Sequence, residues 1–216
     1  MIVKVPISLF ASCVGYCECI IVNHFHLGIK PKVSEAQLVG SRVHDQLEAE
    51  DKLIKRVEAS DDELLNPLVD LDLERESVVV QINRGDFCYV GRVDKLVRLN
   101  GDVYIIDDKT SNHPSKAFIW PDRLAQLSAY CEGFKECFGG AINFNKLFLV
   151  VCQRGPEGQV FDQCIREYDN LLKNDLLTKM ASFESVYNKE SQPTPQSSIN
   201  RCKACKYDCG FRLNNY

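Results

Sequence analysis

No apolar run in this 216-residue chain approaches the length of about 20 residues that spans a bilayer. The opening Met-Ile-Val-Lys-Val-Pro-Ile-Ser-Leu-Phe lacks the basic start, long apolar stretch and small-residue cleavage site of an export signal. A membrane partner is therefore not expected, and the chain reads as soluble and cytoplasmic. Internal repeats are lacking too, which sets aside stacked-repeat architectures. An excess of basic charge is also missing. The formal net charge is −4, which taken alone argues against a nucleic-acid partner. The deficit is local, however: residues 45–76 hold twelve acids against four bases, leaving 22 basic against 18 acidic residues elsewhere. A neutral-to-basic working face beside an acidic outer segment is compatible with DNA binding.

What the chain has in quantity is cysteine, eleven in all, an odd number. With no export signal and 45% hydrophobic residues to build an ordinary core, a disulfide scaffold is not expected. Cys88, Cys131, Cys137, Cys152 and Cys164 are scattered through helix-like and strand-like segments and read as reduced, buried thiols.

The pattern along the chain predicts a mainly helical entry over 6–28, ending at Leu27-Gly28. A capping box at Ser34-Glu-Ala-Gln37 then opens a long helix that fades by Ser60. Strand material follows at Ser77–Ile82, Phe87–Leu99 and Val103–Asp108, the first two runs joined around Asn83-Arg-Gly85-Asp86. Pro121 opens a helix to about Cys137, closed by Gly139-Gly140. Asn145–Cys152 is an apolar run suited to the middle of a sheet, and residues 161–187 read as one amphipathic helix. Residues 191–198 form a polar linker with two prolines. The class expected is α/β or α+β, a mixed β-sheet flanked by helices.

The segment with most chemical content is Gly91-Arg-Val-Asp94 through Asp107-Asp108-Lys109. Asn100-Gly101 between two strand-like runs predicts a two-residue hairpin turn with positive φ at both centres. That turn pairs residue 99 with 102, so paired numbers sum to 201, and Asp94 should lie opposite Asp107. Lys109 falls on the same side of the sheet, and Asp108 points away. Facing carboxylates repel and need compensation. A divalent cation such as Mg²⁺ or Mn²⁺ suits two hard oxygen ligands, and could activate water and neutralise a scissile phosphate beside an ammonium group.

His44, in Gly40-Ser-Arg-Val-His44 on the long helix, is the candidate third ligand. Gln126 and Tyr130 stand four apart on the Pro121 helix and so share a face. Cys202-Lys-Ala-Cys205-Lys-Tyr-Asp-Cys209 packs three thiols closely enough to meet at one centre. A fourth could come from Cys13, Cys17 or Cys19, giving an iron–sulfur cluster or, as the alternative, a structural zinc. Either metal would join the two ends of the chain, and the tail around it is basic.

Together these features resemble the RecB-like nucleases of the PD-(D/E)xK superfamily, with CRISPR-associated exonucleases that carry an iron–sulfur cluster as the nearest likeness. The parts are Tyr16-Cys17, Gly40-x3-His44, Gly91-x2-Asp94, Asp107-x-Lys109, Gln126-x3-Tyr130 and the terminal three cysteines, in that order. The resemblance implies a restriction-endonuclease-like core over 1–190, followed by a linker and cysteine-cluster segment over 191–216. It implies that His44, Asp94, Asp107 and the backbone of Asp108 bind Mn²⁺ or Mg²⁺. Lys109 would be the catalytic lysine, and Gln126 and Tyr130 would support the DNA and the site. It further implies a 4Fe–4S cluster on Cys17, Cys202, Cys205 and Cys209, with Cys13 and Cys19 as alternatives for the first ligand. The implied activity is exonuclease cleavage of single-stranded DNA ends, in spacer acquisition with CRISPR integrase proteins. A non-catalytic DNA-end-binding subunit and a stand-alone or viral nuclease are the alternatives, and an oligomer is compatible with each.

Overall fold

A chain break in pairing, at Val93-Asp94, organises the molecule. The computed structural model describes residues 2–31, 41, 78–111 and 113–195. Strand β1 (Val3–Pro6) leads into α1 (Ile7–Gly15), then a short helix α2 (Cys19–Ile21) continued by a π-helical turn over Val22–His26. The hairpin β2 (Val79–Arg84) and β3 (Phe87–Arg92) turns through Gly85, at φ 55°. β1 lies parallel to β3, giving a three-stranded sheet in the order β1-β3-β2.

β4 (Lys95–Leu99), β5 (Asp102–Thr110), β6 (Leu147–Arg154) and β7 (Val160–Glu167) form a second, four-stranded sheet in that order. α3 (Pro121–Phe138) connects β5 to its parallel neighbour β6, the crossover that parallel strands require. α4 (Asn170–Tyr187) closes the described chain, its first turn capped by Asp169, whose Oδ1 accepts the Leu172 N–H at 2.8 Å. The class is therefore the expected α/β, with mixed sheets flanked by helices.

Two expectations need correcting. Phe87–Leu99 is not one strand: it divides at Val93-Asp94 into β3 and β4, which belong to different sheets. Val93 still donates to the Val78 carbonyl at 2.9 Å, so the first sheet ends there and the chain bends into the second. The helix expected over 161–187 starts only at Asn170, because Val160–Glu167 pairs antiparallel with β6 after a turn that places Gly158 at φ 86°. The long helix beginning near Ser34 lies outside the described residues, as do the linker beyond residue 195 and the terminal cysteines.

One face of the second sheet (Val103, Ile105, Leu149, Val151) merges with α3, α4 and the first sheet into a single core. Phe10 sits near its centre, with ring centroids 5.1 Å from Tyr89 and 5.7 Å from Phe183. Among the described residues the other face buries a small apolar set, Val97, Ile106, Val150 and Cys152. Cys88, Cys131 and Cys152 are buried as expected, whereas Cys137 is exposed and Cys164 half-buried, the latter on the edge strand β7.

The core also holds phenols and a thiol that resist ionisation. Tyr89 donates to Glu184 Oε1 at 2.9 Å and Tyr168 to Glu132 Oε2 at 3.0 Å. Burial, and then the neighbouring carboxylate, pushes both hydroxyls up, and burial does the same to Cys131. In the unfolded chain these groups lose protons near their ordinary values, about 10 for Tyr and 8.5 for Cys. The unfolded state therefore binds fewer protons than the folded one above those values, and stability falls as pH rises. The melting temperature should hold between pH 7 and 8 and drop progressively from about pH 9 upward.

Candidate active site

The register read from Asn100-Gly101 is present. Asn100 and Gly101 have φ of 52° and 83°, and β4 pairs with β5 from Leu99–Asp102 to Lys95–Ile106, every pair summing to 201. The ladder stops one pair short of Asp94 and Asp107. Asp94 instead occupies the bend between the sheets, and its Oδ2 accepts the backbone N–H of Asp108 at 3.1 Å. The charges of both acids still act on one group. Burial pushes the Tyr130 hydroxyl up, the Gln126 hydrogen bond opposes this, and the charges of Asp94 and Asp107 push it further up.

Asp107 is 1% exposed, on the core-facing side of β5. Its Oδ1 accepts from Lys109 Nζ at 2.6 Å and from Gln126 Nε2 at 3.4 Å. Gln126 Nε2 also donates to the Tyr130 hydroxyl at 3.0 Å, so the two residues of α3 and the two of β5 form one network. The Lys109 carbonyl is held by Gln153 Nε2 at 3.0 Å from the adjacent strand. Compensation for the paired acids thus comes first from within the chain, through the lysine and a backbone amide.

One oxygen is left over. Asp107 Oδ2 is buried and has no hydrogen-bond partner among the described residues. A buried carboxylate oxygen without a donor is costly, and a bound cation is one way to satisfy it. Asp94 and Asp107 offer hard oxygens of the kind that hold Mg²⁺ or Mn²⁺. No group of three His, Cys, Asp or Glu side chains poised around one point occurs among the described residues. His44, the expected third ligand, lies outside them.

Gly91 explains itself sterically. A Cβ there would stand 2.6 Å from Tyr130 Cε1 and 3.0 Å from Ile7 Cβ. Gly91→Ala should push the Tyr130 ring off Gln126, lowering stability by about 1–3 kcal/mol and turnover with it. A melting curve and a rate measured on the same preparation check this.

Asp108 points to the opposite face, as expected, and is 1% exposed. There its Oδ1 accepts from Arg154 Nε at 2.6 Å, with Lys95 Nζ 3.9 Å from Oδ2. Neither cation stood out in the sequence. Gly15 was likewise missed: a Cβ on it would lie 2.3 Å from Asp122 Cα, so α1 and the start of α3 touch backbone to backbone. Of the N-terminal thiols, Cys13 and Cys19 are buried and Cys17 is half-buried. Burial, then the charges of Cys17 and Glu18, push the Cys13 thiol well up. Cys202, Cys205 and Cys209 lie outside the described residues.

No protein-family model matches the chain, and no curated protein matches it. Solved structures do. The crystal structure of a putative exonuclease from Eubacterium rectale superposes at a TM-score of 0.56 and 15% identity, covering 88% of this chain and 83% of the other. That of SSO0001 superposes at 0.55 and 16% identity, covering 97% and 87%. An alkaline exonuclease from Laribacter hongkongensis gives 0.43 at 14% identity, over 87% and 89%. The first two place this chain in their fold.

Proposed function

We propose that the protein is a metal-dependent DNA nuclease working at single-stranded ends, with Asp94 and Asp107 as metal ligands and Lys109 as the catalytic lysine. The observation that carries this is the convergence of Asp107, Lys109, Gln126 and Tyr130 in one network that leaves Asp107 Oδ2 buried and, among the described residues, without a donor. Bound Mn²⁺ or Mg²⁺ would supply activation of water and neutralisation of charge on the scissile phosphate. The protein's own part is positioning. Asp107 fixes Lys109, Gln153 fixes the strand end that carries it, and Lys109 can turn from the carboxylate to the phosphate as charge develops there. Tyr130 accepts from Gln126, and its hydroxyl can donate a hydrogen bond onward. His44 and the Asp108 carbonyl complete the proposed ligand set.

The second metal in this reading is a 4Fe–4S cluster on Cys17, Cys202, Cys205 and Cys209. The half-buried Cys17 supports its choice over Cys13 and Cys19, which the core encloses. Iron and sulfide analysis of protein purified without oxygen tests it, and stoichiometric zinc would replace the cluster by a structural zinc site. The fold likeness to an exonuclease supports the nuclease reading, and a role in spacer acquisition with CRISPR integrase proteins follows from the motif resemblance. The deciding test is single- and double-stranded DNA labelled at either end and incubated with Mn²⁺. Wild type should give a ladder from one end of the single strand and Lys109→Ala none; equal ladders from both proteins would remove the assignment.

A further inference from the structure

The loop leaving the active-site strand carries a feature that catalysis does not use. Between Thr110 and Pro121 the chain includes His113-Pro-Ser-Lys116-Ala-Phe118-Ile-Trp120. Phe118 and Trp120 are 53% and 49% exposed, with ring centroids 5.9 Å apart and planes tilted by 52°. Two large aromatic rings, each about half exposed and side by side, form an apolar surface of the kind that marks an interaction site. The backbone behind them is anchored. Ala117 is buried and donates its N–H to Asp162 Oδ2 at 2.8 Å, and the Trp120 carbonyl accepts the Leu124 N–H at 2.7 Å.

The pair is also close to the reacting groups. Trp120 is the cap residue of α3, and Gln126, which donates to Asp107, follows six residues later, about 9 Å along the helix at 1.5 Å per residue. The other end of the loop leaves β5 just after Lys109. Lys109, Lys116 and Arg123 stand against Asp122 across this stretch, and Arg123, three residues before Gln126, shares its helix face. Exposed rings interleaved with cations match the two chemical features of an unpaired nucleic-acid strand, flat bases and a phosphate backbone.

We propose that Phe118 and Trp120 form a stacking platform for unpaired bases of a single strand whose backbone is led to Asp107 and Lys109. This rests on the nuclease reading and names the substrate feature that the site selects. Bases in a duplex already cover one another's faces, so the platform favours single strands and frayed ends. An apolar protein segment would also cover the rings but would draw nothing from the three cations.

Trp120 is the chain's single tryptophan, so tryptophan emission, excited selectively over tyrosine, reports on this loop alone. An oligothymidylate titrated into the full-length protein in EDTA should quench that emission to saturation. The affinity should fall with added salt, and a blunt duplex of equal length should quench little. By fluorescence anisotropy of a labelled strand, Phe118→Ala and Trp120→Ala should each bind about tenfold more weakly, and Trp120→Phe should bind as wild type does. Unchanged emission while anisotropy saturates, or undiminished affinity in both alanine variants, overturns the platform and leaves the rings to a protein partner. Quenching in a protein that never cleaves would uphold the platform and remove the nuclease reading; cleavage without quenching would do the reverse.

Discussion

Asp107→Asn should abolish Mn²⁺-dependent cleavage while the metal-free variant melts at or above the wild-type temperature. The two effects have one cause. Asp107 is buried and its Oδ2 lacks a donor among the described residues, so the carboxylate, offset only in part by Lys109, is an electrostatic burden on the fold that a bound cation would relieve further. An amide of the same shape removes the charge and can donate. Its former partner Lys109 has a side chain 28% exposed and can turn to water. Without that charge the proposed cation site loses a ligand and Lys109 loses its ion pair. Removal of one such electrostatic element slows turnover by about 10²–10³-fold, and removal of the metal site should cost at least as much. The same logic gives a binding signature. Mn²⁺ at about 100 times its Kd should stabilise wild type by about 2.7 kcal/mol and leave Asp107→Asn unmoved. Melting curves of both proteins with and without Mn²⁺ read all of this together. A variant markedly less stable than wild type in EDTA would mean that Asp107 is a structural residue.

Arg154→Leu should be the most damaging single substitution on the far face of the sheet. Asp108 and Arg154 are 1% and 5% exposed and bonded at 2.6 Å, so truncating the arginine strands a buried carboxylate. Breaking such a pair typically costs about 3–5 kcal/mol. Lys95, at 3.9 Å from the other oxygen, is the remaining cation and should hold the loss toward the lower end. The double substitution Asp108→Asn with Arg154→Leu removes the stranded charge and should recover much of the stability. Urea unfolding of the two single variants and the double variant measures the coupling directly. Additive losses would mean that the pair contributes little to one another's burial. Cleavage should decline only as far as the folded fraction does, because Asp108 contributes its backbone rather than its side chain to the proposed site.

How much of this was visible in the sequence follows from the range of the interactions. The Asn100-Gly101 turn is local, and a two-residue turn leaves one register, so the alignment of β4 and β5 could be read directly. Gln126 and Tyr130 needed only helical spacing, and the structure sets Gln126 against Asp107 and Tyr130 against Gln126. The split at Val93-Asp94 could not be read in the same way. The residues on either side continue a strand-like pattern, and what ends the first sheet is pairing of β3 with β1, more than eighty residues earlier. β7 was missed because Val160, Phe161, Cys164, Ile165, Tyr168, Leu171 and Leu172 recur at helical spacing. Competition from β6, seven of whose residues it pairs, decides for strand. Arg154 carries no signal of its own, since its partner lies 46 residues away. Buried Asp108 was the available hint: an acid that alternation turns toward a second apolar face requires a cation there.

The central claim is that the β5 carboxylate and lysine make a cation-dependent phosphodiesterase site. The most direct measurement is a Mn²⁺ titration of cleavage of an end-labelled single strand, set beside calorimetric Mn²⁺ binding, for wild type and Asp107→Asn. Expected are no cleavage in EDTA, a wild-type rate that saturates in step with metal occupancy, and neither binding nor cleavage in the variant. Cleavage that persists in EDTA, or a variant that cuts as fast as wild type, would contradict that claim.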